Sequence, residues 1–232
     1  MELFYASTDN INNNEIVLDD FEARHASQVL RKTVGDSITV TDGAGHVYRT
    51  TVSSQNPFRL KIEDKRHQPQ QEPFIALAVG FIRPNRLEFI LEKGTELGVN
   101  HFYLLRTEYA NYASRNLSRF HKVLRQAIKQ SQRYYLPHLQ IFSSLEDFLN
   151  SAPPFEIRIA AIDAGFPSLG NSMDRKGRSY LLMIGPEGGL SKKEVALLKD
   201  SDFTLVSLNS HRLRAETAAI SGIAIIQQYI HP

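Results

Sequence analysis

Residues Ile184–Glu194 read IGPEGGLSKKE, a segment that joins a run of apolar side chains to a helix start. Upstream, SYLLMIG (Ser179–Gly185) has the continuous apolar character of a buried strand. Downstream, Ser191 precedes Glu194 at the spacing of a capping box, in which each side chain satisfies the other's backbone donor. Between them Gly185, Gly188 and Gly189 make a loop whose backbone can approach a ligand closely. A tight turn with no ligand fits the same residues. The loop has neither GxGxxG nor GxxxxGK followed by Ser or Thr, so a nucleoside without a pyrophosphate suits it at least as well as a nucleotide.

The same strand-then-helix order recurs on either side. FIALAVGF (Phe74–Phe81) is a second apolar run, followed by helical spacing at Leu87, Ile90, Leu91 and Gly94. HFYLLR (His101–Arg106), EIRIAAID (Glu156–Asp163) and FTLVSL (Phe203–Leu208) predict further strands. Helices are expected at SKKEVALLK, from about Arg214 to Tyr229, and after Ser118, a cap for the apolar positions Phe120, Val123, Leu124, Ala127 and Ile128. This alternation predicts an α/β domain with a parallel sheet covered on both faces. Ligands of such sheets lie beyond the carboxyl ends of the strands, where NSHRLRAET (Asn209–Thr217) would emerge beside the glycine loop. Within it Glu216 suits catalysis, helix capping or pairing with Arg214. Asp163, at a strand end, suits a ribose contact or a turn.

Before Phe74 the chain changes character. Ser37–Gly43, Gly45–Val52 and Pro57–Asp64 are short runs rich in Val, Ile, Thr and Phe, and Asp42-Gly43-Ala44-Gly45 is a hairpin turn signal. They predict a small, mostly antiparallel barrel or sandwich over residues 1–70. HQPQQEP (His67–Pro73) is the expected linker, and residues 71–232 form the second domain.

Charge and composition narrow the function. The 232 residues carry 27 basic and 25 acidic side chains, so net charge alone does not indicate nucleic acid. Its distribution is more informative: between Tyr109 and His138 there is no Asp or Glu, while Arg115, Arg119, Lys122, Arg125, Lys129 and Arg133 supply a local positive field that suits a phosphate backbone or a solvated helix face. The absence of cysteine removes disulfides, thiolate nucleophiles and cysteine-ligated zinc. None of the histidines falls in a zinc pattern such as HExxH, so no protein-bound metal is expected. Glu92 and Glu96 share a helix face with Lys93 between them, which fits salt-bridged surface as well as paired carboxylates. With no membrane-length apolar run and no signal-like N-terminus, the chain is expected to be soluble and cytoplasmic.

Taken in order, Arg83–Val99 ending in EKGTELGV, RQAIKQSQRYYLP (Arg125–Pro137), IGPEGGLS (Ile184–Ser191) and LRAETA (Leu213–Ala218) resemble the ribosomal RNA small subunit methyltransferase E family. Its members are bacterial SPOUT-superfamily enzymes that methylate N3 of a uridine in 16S rRNA. HASQVLR (His25–Arg31) agrees with the PUA-like barrel of that family. The chain departs from the family pattern at Tyr109 and at Asn209–His211. The resemblance implies a trefoil-knotted methyltransferase domain preceded by a PUA-like β-barrel, a homodimer, and 16S rRNA in the assembled small ribosomal subunit as partner. It implies S-adenosylmethionine against Ile184, Gly185, Pro186, Glu187, Gly188, Gly189 and Leu190, with Leu208, Asn209, Ser210 and Leu213 as the other wall. Arg24, Arg31, Arg83, Arg119, Lys122, Lys129 and Arg133 become the expected RNA contacts, and Arg214 and Glu216 the catalytic pair. A noncatalytic RNA-binding protein and a methyltransferase for another RNA are the alternatives, and binding of S-adenosylmethionine separates the first of them from the enzymes.

Overall fold

A computed structural model describes residues 2–112, 116–163, 165–173 and 177–231. Arg115, one of the basic residues above, lies outside them. The chain forms two compact units: residues through Gln70 together with Arg125–Leu136, and Gln71–Leu124 together with the chain from Pro137.

In the first unit, β1 (Leu3–Tyr5), β2 (Glu15–Val17), β3 (Ser37–Thr41), β4 (His46–Gln55) and β5 (Phe58–His67) form one sheet in the order β1-β3-β4-β5-β2. Only the β1–β3 pair is parallel. The β3–β4 turn follows from its side chains: Asp42 Oδ1 accepts from the N–H groups of Ala44 (2.8 Å) and His46 (3.2 Å), and Gly43 and Gly45 take φ of 74° and 90°. Alternation along β4 buries Tyr48, Thr50 and Val52 against Phe4, Ile16, Val40 and Leu60. The helix α1 (Asp20–Arg24), capped by Asp19 accepting from Glu22 N–H at 2.8 Å, runs into a wide helical turn over His25–Val29. The segment Arg125–Leu136 joins this unit through backbone bonds, Gly45 N–H to Tyr134 O (2.9 Å) and Leu136 N–H to Gly43 O (2.8 Å).

The second unit is a six-stranded, wholly parallel sheet of β6 (Phe74–Gly80), β7 (His101–Leu105), β8 (His138–Phe142), β9 (Ile157–Ala161), β10 (Ser179–Ile184) and β11 (Thr204–Val206), in the order β11-β9-β10-β6-β7-β8. Its helices are α2 (Pro84–Glu96), the first part of α3 (Leu117–Ser131), α4 (Leu145–Ser151), α5 (Leu169–Ser172), α6 (Lys192–Asp200) and α7 (Ala215–Ile230). On one face Ala76, Ala78, Leu181 and Met183 meet Leu145 and Phe148 of α4 and Leu198 of α6. The alternate residues meet α2 and α7 at glycines: a Cβ on Gly94 would stand 2.9 Å from the Phe102 ring, and one on Gly222 2.6 Å from Leu182 Cδ2. Both faces are therefore covered, as the strand pattern predicts. The start of α3 differs from expectation. Asn116, not Ser118, caps it, since Asn116 Oδ1 accepts from Arg119 N–H at 3.2 Å. Among the described residues no helix is long and apolar enough to cross a membrane.

Candidate active site

At the carboxyl end of β10 the chain turns tightly: Gly189 N–H donates to Pro186 O (2.8 Å) and Gly189 takes φ of 77°. Pro186 sits hard against the end of β6, because a Cβ on Gly80 would lie 2.7 Å from Pro186 Cδ. Beyond the turn the capping box forms as the sequence predicts. Glu194 N–H donates to Ser191 Oγ (3.2 Å) and Ser191 N–H to Glu194 Oε2 (2.8 Å). The other oxygen, Glu194 Oε1, accepts from Glu108 N–H (2.9 Å), so one carboxylate fixes the loop after β7 as well as the start of α6.

Facing this loop is the segment between β11 and α7. Asn209 Oδ1 accepts from His211 N–H (3.0 Å), Ser207 Oγ donates to Asn209 O (2.8 Å), and Arg212 Nη2 reaches across to Glu187 O (3.1 Å). The two segments, with Ala161–Asp163 at the end of β9 and Arg86 from α2, enclose a cavity of about 410 Å³. Ile184 through Leu190, Leu208, Asn209 and Leu213 line it, as does Arg214, the residue before the first turn of α7. Ser210 does not; it is exposed, with its hydroxyl 3.4 Å from Asn209 Oδ1. Glu216 is set behind the lining, linked to it by Arg86.

Arg86 is the lining residue that the sequence reading does not single out. Its Nη1 lies 3.7 Å from Glu187 Oε1 and its Nε 3.5 Å from Glu216 Oε1. Glu187 Oε1 also accepts from Arg83 N–H at 3.4 Å. The Glu216 side chain is only 15% exposed, and its Oε2 is buried with no hydrogen-bond partner among the described residues. The signal that points to Arg86 is its place in the first turn after β6, the strand beside β10.

The expected RNA contacts are placed differently from one another. Arg24 and Arg31 are exposed in the first unit. Lys129 is not: its ammonium holds both oxygens of the buried Glu22, at 2.6 and 2.9 Å, and lies over the Phe4 and Phe21 rings. Burial pulls the Arg133 guanidinium down to about 10. In the second unit Arg119 donates from Nε and Nη2 to the two oxygens of Glu88, Arg83 Nε donates to Tyr112 Oη (2.8 Å), and Lys122 is exposed.

Comparison with known proteins agrees with this geometry. The RNA methyltransferase domain family matches residues 69–227, and the RNA methyltransferase PUA domain family matches residues 18–65. A parallel sheet with its cavity between two strand-end loops, preceded in the chain by a PUA-like sheet, defines an RNA methyltransferase of the SPOUT class. The chain is 28% identical over 229 residues to ribosomal RNA small subunit methyltransferase E of Rickettsia conorii, covering 93% of this chain and 90% of that one. It is 27% identical to the protein of that name from Bacillus subtilis, over 88% and 86% of the two chains. The crystal structure of a ribosomal RNA small subunit methyltransferase E from Neisseria gonorrhoeae bound to S-adenosyl methionine superposes with a TM-score of 0.87 at 26% identity, covering 98% and 97% of the chains. The chain belongs to the ribosomal RNA small subunit methyltransferase E family.

Proposed function

We propose that the protein transfers a methyl group from S-adenosylmethionine to N3 of a specific uridine in 16S rRNA. The carrying observation is the cavity at the ends of β9, β10 and β11. Its volume of about 410 Å³ falls within the range of small-molecule sites. Ile184, Leu190, Leu208 and Leu213 offer apolar contact for an adenosine, and Gly185, Gly188 and Gly189 leave backbone groups open to it. Asp163 and Glu187 supply negative charge for cationic groups, and Arg212 and Arg214 positive charge for a carboxylate. The residues present therefore fit S-adenosylmethionine, which when bound supplies an electrophilic methyl group on a sulfonium.

Uracil N3 is protonated at neutral pH, so the chain must handle a proton while it aligns the acceptor. We assign Arg214 to stabilise the anion that develops on the uracil, and Glu216, set behind the lining, to receive the N3 proton through water. In the balanced reaction the N3–H and S–CH3 bonds break, the N3–CH3 bond forms, and the electron pair of the broken S–C bond stays on sulfur. Arg24 and Arg31 in one unit, and Arg83, Arg119 and Lys122 in the other, are proposed to hold rRNA phosphates. Lys129 and Arg133 act there only if their present environments open. The acting form is proposed to be a homodimer in the cytoplasm, where the small ribosomal subunit is its substrate.

The test is methyl transfer from labelled S-adenosylmethionine to small subunits lacking the modification, followed by mapping of the labelled base. Label at N3 of one 16S uridine is expected. Label on another base or another RNA corrects the target, and failure to bind S-adenosylmethionine overturns the reading.

A further inference from the structure

We infer that Arg86 is the positioning residue of the donor site, a single guanidinium that sets the glycine loop and the proton acceptor relative to each other. This inference rests on the proposed methyl-transfer reading. Two carboxylates on segments distant in sequence converge on it: Glu187, in the loop after β10, and Glu216, in the first turn of α7. The Arg86 side chain is 24% exposed, Glu187 29% and Glu216 15%, so the cluster is more than half withdrawn from water and its interactions are less screened than those of a surface pair. A planar guanidinium presents donors in several directions, which lets Nη1 face one carboxylate while Nε faces the other. A lysine ammonium offers its three donors from a single atom, so it would have to sit between the two carboxylates instead of facing each with a different nitrogen.

The orphaned oxygen gives this geometry its consequence. Glu216 uses Oε1 toward Arg86 and keeps Oε2 buried and unpartnered among the described residues. A buried carboxylate oxygen left without a donor is costly and is held only where the surroundings fix it. Among the described residues Arg86 is the ion-pair partner of Glu216, so it determines where Oε2 points. The side chain therefore acts through two arms: through Glu187 on donor affinity, and through Glu216 on the methyl-transfer step.

Each arm has its own measurement. Calorimetric titration of the full chain with S-adenosylmethionine reads the first arm without RNA. Arg86→Ala is expected to weaken binding about three- to tenfold, the range of a partly screened ion pair, and in a Glu187→Gln background to weaken it no further. Single-turnover transfer to small subunits at saturating donor reads the second arm. There Arg86→Ala is expected to lower the rate about 100-fold, the scale of a displaced reacting group, but to add little once Glu216 is Gln. Arg86→Lys is expected to restore donor affinity in part and leave the rate low. Melting curves of each variant separate these effects from misfolding, and Arg86→Met serves if the alanine variant melts early. Wild-type affinity and rate in Arg86→Ala would overturn the inference, as would full additivity with both carboxylate variants. If the wild type binds S-adenosylmethionine but transfers nothing to small subunits, the target reading fails, and the affinity cycle with Glu187→Gln still decides the positioning role.

Discussion

Gly188 is the most closely hemmed of the three glycines in the loop after β10. A Cβ there would stand 2.8 Å from Tyr109 Cβ, closer than such atoms approach in folded proteins, so Gly188→Ala must push the loop or the segment carrying Tyr109. We expect it to weaken S-adenosylmethionine binding about tenfold, the cost of a modest loop displacement, and expect Tyr109→Gly in the same chain to recover most of the loss. Calorimetry on the two variants checks this. Arg214 and Glu216 call for a kinetic measurement. Arg214→Ala and Glu216→Gln should each lower the single-turnover rate by about two orders of magnitude while leaving donor affinity within a few-fold, the pattern of groups that act in the transition state. Unchanged rates at saturating substrates would remove both roles. Ser210 shows the limit of local reading. It sits between two lining residues in the sequence, yet its side chain faces away because Asn209 folds the segment onto His211.

The capping box of α6 was legible because all its parts lie within four positions of one another. What the local pattern could not contain is the second bond of Glu194, to Glu108 N–H, since the two residues meet only after β7 and β10 enter the same sheet. A consequence follows for mutation. Ser191→Ala should cost about 1 kcal/mol, an ordinary cap loss. Glu194→Ala should cost more, because it also strips a donor after β7, and urea unfolding of both variants gives the comparison. Strand β8 is hard to read from the sequence for a related reason. It pairs only with β7 at the sheet's edge, and its alternating burial carries a weaker apolar signal than the buried β6 and β10. Ser118 has the residue type of a cap for α3, but Asn116 is the residue whose side chain meets the N–H of Arg119. Arg86 is the clearest case, since only the adjacency of β6 and β10 brings it to Glu187.

Stability is distributed between the two units in ways a charge count hides. In the first unit the Lys129–Glu22 pair is nearly dry, with side-chain exposures of 13% and 5%. Burial raises the Glu22 pKa even though the Lys129 ammonium pulls it down. Removing the ammonium leaves that carboxylate buried and unpaired, so Lys129→Ala is expected to destabilise the protein by about 3 kcal/mol, with Glu22→Gln in the same chain recovering part of it. Differential scanning calorimetry reads both. In the second unit burial, aided by His138, lowers the His101 pKa below its ordinary 6.5. A lowered folded pKa means the unfolded chain takes up the proton first, so this contribution is intact above pH 6.5 and is lost as pH falls through the folded value. Melting curves from pH 7.5 downward should show a smaller fall for His101→Gln than for the wild type. The cavity itself is assembled from widely separated segments: Arg86, the ends of β9 and β10, and the stretch from Leu208 to Ala218. A chain halted after Val206 would hold every strand of the sheet and lack one whole wall of that cavity. During synthesis, then, the cavity waits for α7 to emerge, and a nascent chain carrying the complete sheet is still open where that wall will stand.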